Sequence, residues 1–231
     1  MAAIAKENFM VIIRIFFPIF LASLASSSSD TLKQGDELNF SSSTFLVSAQ
    51  KVFTLGFFIP PEGSSDDSFL GIWYSSNPNH PVWVANRDKP IANNSGVLTI
   101  DSTGTFVIRH NGGVLMELYQ GQNSTNSTTA TLLDTGNLVV TEEVNSNNGS
   151  NKRVWDSFDY PTDTLLPGMK LGVNHRTGLN WSLTAWFSQG IPSPGAFTMD
   201  WDPNTRQLIV RRRGLIYWTS GALLGDKDLE E

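Results

Sequence analysis

Three aspartates that lie close together have the residue type and spacing that hydrolytic chemistry would use. Asp156, Asp159 and Asp163 occur within one short stretch, and two such carboxyl groups can act as the acid and base of a glycosidase. The sequence shows no complete acid and base arrangement around them. A secreted hydrolase is therefore an alternative that these aspartates alone do not support.

A second acidic group is similar to the start of a calcium-binding loop. Asp200, Asp202 and Asn204 provide the alternating oxygen ligands that begin such a loop. The loop also requires Gly at its sixth position and Glu at its twelfth, where this chain has Thr205 and Arg211. We therefore predict a β-turn between two strands and no metal site.

Other residues with catalytic associations also lack their partners. Residues 86–88 (NRD) are similar to part of a kinase catalytic loop, but no Gly-rich loop or Asp-Phe-Gly sequence accompanies them. We expect Arg87 to bond to a neighbouring carboxylate or carbonyl in a turn. The three histidines, His80, His110 and His175, are predicted to lie at the surface. No catalytic residue and no cofactor is predicted.

The composition is that of an acidic, cysteine-free, all-β protein. The 231 residues carry a net charge of −6, with a pI near 5.0 and no cysteine, which argues against nucleic acid as a partner and excludes disulfides. The 19 glycines, 11 prolines and 7 tryptophans favour many short strands joined by turns. We interpret the one basic cluster, residues 211–213 (RRR), as a solvated strand end.

The amino-terminal segment has the features of a secretory signal. Lys6 precedes an apolar run over residues 9–24 that ends in small residues. We predict that residues 1–25 are a signal peptide, cleaved near Ala25, and that the mature chain is extracellular. An uncleaved anchor is the alternative, although the run is short for a membrane span. No second apolar stretch reaches membrane length.

Candidate glycosylation sites agree with the secretory route. Six Asn-x-Ser/Thr sequons follow the signal segment, and such sites acquire glycans in secreted proteins. The candidate residues are Asn39, Asn93, Asn123, Asn126, Asn148 and Asn180.

Short β segments follow one another at intervals of about ten residues, as in all-β sandwiches and barrels. Turn sequences separate them, with Asp and Asn followed by Gly at 101–104, 111–113 and 134–136. Strand-like runs begin near Leu38. The predicted strands are 45–48, 52–58, 69–74, 82–85, 96–100, 105–109, 114–119, 130–133 and 137–141.

An internal repeat emerges when these turns are aligned. Residues 98–108 (LTIDSTGTFVI) parallel residues 132–140 (LLDTGNLVV), and a more divergent copy begins at residue 52. Trp83 and Trp155 follow the first and third copies, and Met116 stands at that position in the second. We expect Trp73, Trp83 and Trp155 to be core residues and not sugar platforms. Three hairpin-based units predict a pseudo-threefold arrangement in which each unit's apolar face is covered by the others.

Four motifs in order resemble the bulb-type lectin domain of plant G-type lectin S-receptor-like kinases. They are residues 70–74 (LGIWY), 82–91 (VWVANRDKPI), 133–139 (LDTGNLV) and 155–171 (WDSFDYPTDTLLPGMKL). The resemblance covers residues 31–171, and residues 195–197 (GAF) and 217–221 (YWTSG) resemble the start of the S-locus glycoprotein domain.

The resemblance implies an all-β fold, a β-prism of three four-stranded sheets about a pseudo-threefold axis. We predict a lectin domain over residues 30–160 and, over 161–231, the start of an S-locus glycoprotein-like domain that is truncated. In this family the stretch with the three aspartates is structural. Full receptors continue into a membrane span and a Ser/Thr kinase, which we expect to lie beyond this sequence.

The resemblance also implies one mannose pocket per repeat, built on a Gln-x-Asp-x-Asn-x-Val-x-Tyr strand. In the third repeat Asn137 and Val139 match this pattern, in the second only Val107 matches, and the first keeps none of it. The remaining third-repeat positions are held by Leu133, Thr135 and Thr141. A site without most of its hydrogen-bonding groups does not offset the desolvation of sugar hydroxyls. We therefore expect degenerate carbohydrate sites, with Asn137 serving its own turn.

These observations favour a non-catalytic extracellular recognition module that binds a glycan or protein ligand. An active mannose-binding lectin and a fragment of a full receptor Ser/Thr kinase are the alternatives. The expected partners are a mannose-type glycan, a protein ligand, another receptor ectodomain or a second copy of the chain.

Overall fold

Short antiparallel strands make up most of the computed structural model, which describes residues 29–62, 66–121, 127–143 and 151–222. One 3-10 turn, η1, spans Ser157–Asp159. The strands are β1 Thr31–Lys33, β2 Glu37–Asn39, β3 Leu46–Val47, β4 Phe53–Phe58, β5 Phe69–Tyr74, β6 Pro81–Val84, β7 Val97–Ile100, β8 Phe106–His110, β9 Gly113–Tyr119, β10 Thr128–Leu132, β11 Leu138–Glu143, β12 Asn151–Asp156, β13 Gly172–Val173, β14 Asn180–Trp181, β15 Leu183–Ser188, β16 Ile191–Asp202, β17 Gln207–Arg212 and β18 Leu215–Thr219.

Three four-stranded sheets form a prism. The first sheet has the order β3-β4-β5-β6, the second β2-β7-β8-β9 and the third β1-β10-β11-β12. Each sheet contains one of the three sequence repeats, and the nine predicted strands correspond to β3 through β11. The predicted all-β prism is therefore confirmed.

The first strands of the second and third sheets come from far away in the chain. Leu32 in β1 pairs with Ala130 in β10, and Leu38 in β2 pairs with Leu98 in β7. The amino-terminal segment thus contributes one edge strand to each of these two sheets and connects the second and third repeats before the first repeat begins.

Alternation along the strands places one apolar face of each sheet in a common core. Trp83 from the first sheet, Phe106 from the second and Trp155 from the third are all buried. The ring of Trp155 lies 6.3 Å from that of Trp83 and 6.0 Å from that of Phe106, both in edge-to-face geometry. Met116, at the matching position of the second repeat, packs against this core. The prediction that Trp83 and Trp155 are core residues is confirmed.

A second β unit follows the prism. The pair β13-β14 leads into a four-stranded sheet of order β15-β16-β17-β18. Its last strand, β18, leaves Leu215, Ile216, Tyr217 and Trp218 exposed. The turn between β16 and β17 is the one predicted from the calcium-like sequence, and there Asp202 accepts hydrogen bonds from Asn204 and Thr205. The division of the chain at residue 160 stays a prediction.

Arg87 joins the prism to this second unit. Its guanidinium donates to the backbone carbonyls of Pro192 at 2.6 Å, Thr184 at 2.8 Å and Ala185 at 2.9 Å. The side chain is buried, and burial lowers the pKa of Arg87 while the charges of Asp163 and Asp88 act against that shift. Three carbonyl acceptors thus compensate a buried cation, as burial of charge requires. The expectation that Arg87 bonds to a carbonyl is confirmed.

Arg87→Lys is expected to destabilise the protein by about 3 kcal/mol, because an ammonium cannot reach three separate carbonyls and leaves buried acceptors without a donor. Urea unfolding followed by tryptophan fluorescence measures the change. Arg176→Lys, at an exposed arginine, is the matched control. Equal stability of the two variants would show that Arg87 does not hold the units together.

Candidate functional site

The outer face of the third sheet carries the best-preserved remnant of the sugar motif, and there Asn137 is committed to the fold. It is buried. Its Oδ1 accepts from Ser157 Oγ at 3.1 Å and from the Phe158 amide at 3.3 Å, and its Nδ2 donates to Asp156 at 3.3 Å. Every one of these partners lies in η1 or at the end of β12. The amide therefore fastens the start of β11 to the following 3-10 turn and has little capacity left for a ligand.

The neighbouring positions on this face are also occupied within the protein. Val139 is 6% exposed, and in the register it lies between Thr131 and Asp156. The hydroxyl of Thr141 bonds to that of Thr129 at 3.0 Å. Leu133, at 39% exposure, has no hydrogen-bonding group. Thr135 is also exposed, and its hydroxyl accepts from the Asn137 amide at 3.4 Å. This face offers few polar atoms to a sugar.

On the outer face of the second sheet, the polar groups around Asp101 bond mainly to one another. Asp101 accepts from the Thr103 hydroxyl at 2.6 Å and from the amides of Thr103 and Thr105 at 2.9 and 3.1 Å. Burial raises the pKa of Asp101, but these hydrogen bonds outweigh it and hold the pKa below its usual value. Arg109 adds a longer ion pair at 3.8 Å. Val107 is 1% exposed, so it presents no surface to a ring.

Aromatic rings cover the outer face of the first sheet. Phe45 and Phe58 make edge-to-face contacts with Trp73, with ring centres 6.0 and 6.2 Å away. Gly56 permits this packing, because a β-carbon there would lie 2.3 Å from the Phe45 ring. Trp73 is buried as predicted, but it covers this outer face and is not part of the central core.

A cavity of about 710 Å³ opens where the prism meets the second β unit. Asp163 and Trp186 lie in its wall. Burial raises the pKa of Asp163, and the Trp186 indole and the charge of Arg87 only partly offset this effect. A carboxyl with a raised pKa in a cavity is a feature of functional sites. Glu62 provides a second carboxyl in the wall, whereas Asp156 is held by Arg153 and Asn137 and does not line the cavity.

Comparisons with known proteins agree with this architecture. The family described as D-mannose binding lectin matches residues 80–187. Over 209 residues, 87% of this chain, the sequence is 43% identical to a G-type lectin S-receptor-like serine/threonine-protein kinase of Arabidopsis thaliana. The chain carries a bulb-type lectin domain and matches an ectodomain fragment of such receptors.

Two further proteins are similar to this bulb-type lectin chain. The S-locus-specific glycoprotein S6 of Brassica oleracea is 42% identical over 186 residues, which is 80% of this chain and 42% of that protein. Among solved structures, a monomeric monocot mannose-binding lectin from Gastrodia elata covers 56% of this chain and 96% of its own, with a TM-score of 0.40 and 16% identity. The chain spans about a quarter of the length of the receptor kinases it matches, 25% in the first of them.

Sequence reasoning located the lectin faces but missed the cavity between the two units. In the sequence Asp163 is one of three closely spaced aspartates, whereas the structure places it in the cavity wall, apart from Asp156 on the third sheet. The third aspartate, Asp159, has a pKa raised by burial and by the neighbouring charge of Asp156. Trp186 carried no sequence signal beyond its type, because the cavity forms from segments distant in the chain.

The described candidate glycosylation sites differ in accessibility. Asn93 and Asn180 are exposed, whereas Asn39 is half-buried in β2 and donates to Glu37 at 3.3 Å. Asn123, Asn126 and Asn148 lie outside the described residues, as does the predicted signal peptide. Glycosylation at all six positions stays a prediction.

The remaining sequence expectations concern histidines, metals and membranes. His80 and His175 are exposed, but His110 is half-buried and bonds to Ser95, so its prediction as a surface residue was only partly right. Within the described ranges no cluster of three or more histidines, cysteines or acids is placed to hold a metal. The same ranges contain no helix with the length and apolarity of a membrane span.

Asn137→Ala is expected to lower the free energy of unfolding by about 2 kcal/mol, because the Phe158 amide and Ser157 hydroxyl lose a buried acceptor. Thermal unfolding measures the change. Asn77→Ala, at an exposed asparagine, is the control and should be close to neutral. A loss no larger than the control's would mean that the amide is not needed for the turn.

Asp163→Asn is expected to become increasingly stabilising relative to the wild type as the pH rises from about 3 to about 7. Burial raises the pKa of Asp163 above its ordinary value of 3.8. The contribution of this carboxyl to the free energy of unfolding is therefore largest below the unfolded-state pKa, and it is lost as the pH rises through the folded-state pKa. Unfolding free energies measured across this range test the slope.

Asp202→Asn is a control for which the stability difference from the wild type should change with pH in the opposite direction. Hydrogen bonds from Thr205 and Asn204 lower the pKa of Asp202, so the stability that it contributes is lost as the pH falls. This variant should therefore become less stable than the wild type as the pH rises. Parallel slopes for the two variants would contradict the assignment of the Asp163 shift to burial.

Proposed function

We propose that the chain is a non-catalytic extracellular recognition module that binds a glycan or protein ligand without using the three mannose pockets of its fold. The observation that supports this most directly is the internal use of Asn137, the one polar motif residue that the third repeat retains. Its amide already bonds to Asp156, Ser157 and Phe158. A sugar at this position would have to compete with three fold-stabilising hydrogen bonds.

The other two faces support the same proposal by different means. On the second sheet, Asp101 Oδ1 already accepts from Thr103 and Thr105, and Oδ2 pairs with the Arg109 guanidinium at 3.8 Å, so a sugar hydroxyl would compete with bonds within the protein. On the first sheet, the packed rings of Phe45, Phe58 and Trp73 replace polar groups altogether. Sugar hydroxyls buried against such surfaces would lose water without gaining partners.

The family context extends the proposal to a receptor. The relatives include receptor kinases of which the chain matches an ectodomain fragment, and the predicted signal peptide and sequons are consistent with export. We place the module at the outer face of the cell or in secretion, where it binds its ligand without catalysing a reaction. Another receptor ectodomain or a second copy of the chain is a further partner of this kind.

A glycan array with high-mannose and plant-wall glycans tests the proposal. Any glycan that binds the signal-cleaved protein should remain bound in excess methyl α-mannoside, because the faces that would hold mannose are occupied. Mass spectrometry of bound glycans should show no shortened products, because the proposed module is non-catalytic.

Binding that methyl α-mannoside abolishes would instead identify an active mannose lectin. In that case Thr141→Ala shows whether the third sheet holds the mannose, because this substitution changes the outer face of that sheet alone. Hydrolysed glycans would overturn the non-catalytic part of the proposal, and a protein ligand becomes the expected partner if no glycan binds.

A further inference from the structure

The junction cavity, as we name the space between the prism and the second β unit, has the size of a ligand site. Its volume of about 710 Å³ falls within the range of roughly 300–1,000 Å³ typical of small-molecule pockets. It lies away from the outer faces of the three prism sheets, and none of the sugar-motif residues lines it. Its walls are formed by Pro61, Glu62, Asn79, His80, Pro81, Asp163, Thr164, Ala185, Trp186, Ser188 and Gln189.

The backbone of β15 is shaped to place Trp186 at this cavity. The register between β15 and β16 shifts on both sides of Trp186, between Thr184 and Trp186 and again before Ser188. Such irregularities re-aim side chains and are often found beside binding sites. Gly195 makes the close approach possible, because a β-carbon there would lie 2.3 Å from the Trp186 carbonyl. The position of this tryptophan therefore depends on specific local geometry.

Arg87 fixes the same segment from behind. It binds the carbonyls of Thr184 and Ala185, immediately before Trp186, and the Thr184 amide donates to the Thr162 carbonyl at 2.7 Å. The wall that carries Trp186 is thus attached to the prism by a buried cation and by the strand-like segment next to Asp163. A wall held this way is preorganised, which reduces the entropy lost when a ligand binds.

Trp186 and Asp163 also contain buried polar atoms that are at most loosely paired with each other. Trp186 Nε1 and Asp163 Oδ1 make no hydrogen bond of good geometry, and the indole N–H acts on the carboxyl only through a weak contact that lowers the pKa of Asp163. The ring as a whole remains half-exposed. Buried polar groups without a well-formed hydrogen bond are few in folded proteins, and here they lie in the wall of the junction cavity.

The charge of the lining selects the class of ligand. Glu62 and Asp163 are acidic, and no lysine or arginine lines the cavity, so an anionic sugar would meet repulsion without a compensating cation. Glu62 accepts from Gln189 across the rim at 2.8 Å, and both side chains remain exposed. Together with Asn79 and His80, they supply donors and acceptors around an aromatic ring. Such a mixture suits a neutral polyhydroxylated ligand.

We propose that the junction cavity binds a neutral oligosaccharide, with the Trp186 ring packed against a sugar and the rim side chains of Glu62, Asn79, His80 and Gln189 bonded to its hydroxyls. This inference rests on the proposed recognition function and identifies a place for it outside the three lectin faces.

The test uses calorimetric titration of the full secreted chain with neutral tetraoses of β-linked glucose, mannose, xylose and galactose. At least one tetraose is expected to bind the wild type, and Trp186→Ala to weaken it at least about tenfold, as loss of a central aromatic contact does. Trp218→Ala, at the opposite edge of the same sheet, should change the affinity less than about twofold. Tetragalacturonic acid, an anionic probe, should not bind.

His80→Ala keeps the test decisive if Trp186→Ala misfolds. His80 is exposed on the prism side of the cavity, so this variant is expected to fold normally and still weaken binding, whereas His175→Ala should not. Tetraose binding that is unchanged in both cavity variants overturns the junction site and leaves the recognition function standing. Failure of every neutral tetraose to bind also overturns it, and the array result then decides separately whether the module recognises another glycan.

Discussion

The buried guanidinium of Arg87 is the contact on which the relation between the two parts of the molecule depends. A cation removed from water is tolerated only where donors and acceptors are matched, and Arg87 has its match in backbone carbonyls of Thr184, Ala185 and Pro192. Backbone acceptors do not vary with side-chain identity. The contact therefore requires a particular backbone path of the β15–β16 hairpin, but it places little restriction on the side chains that the hairpin carries.

The residue before Arg87 prepares it for this role. Asn86 is fully buried, accepts from the Leu70 amide at 2.7 Å and donates to the Lys89 carbonyl at 2.7 Å. These two bonds close the turn after β6 and attach it to β5. The turn therefore holds Arg87 in a fixed position, and Arg87 in turn holds the β15–β16 hairpin in place. Through Arg87, this turn fixes the β15 wall of the junction cavity.

The sequence was a good guide to what is local and a poor one to what is distant. The Asp-Thr-Gly turn at 134–136 and the apolar run 138–140 predicted a hairpin correctly, because the φ of Gly136 is +84° and the strand pairs with one only a few residues away. Nothing local indicated that Leu32 would pair with Ala130. The backbone carbonyls that Arg87 binds lie 97 to 105 residues further along the chain. That Arg87 would bond to a carbonyl was predictable, but which carbonyls it binds was not.

Asn137 shows why a preserved motif residue is weak support for a preserved site. An asparagine amide can serve a sugar or the protein itself, and a sequence pattern does not distinguish these uses. In this chain the η1 turn supplies Ser157 and Phe158 as partners, and the residue is retained by the fold alone.

Divergence of the three faces follows from the same reasoning. Once the prism is stabilised by its inner core, each outer face is free to exchange ligand-binding groups for internal bonds, as at Asp101, or for rings, as at Trp73. The core residues Trp83, Phe106 and Trp155 cannot change in this way, because each packs against another sheet. Under the proposed recognition function, a prism that keeps its core without using its outer pockets serves as a support for other surfaces. The surface it most directly shapes is the one that Arg87 holds against it.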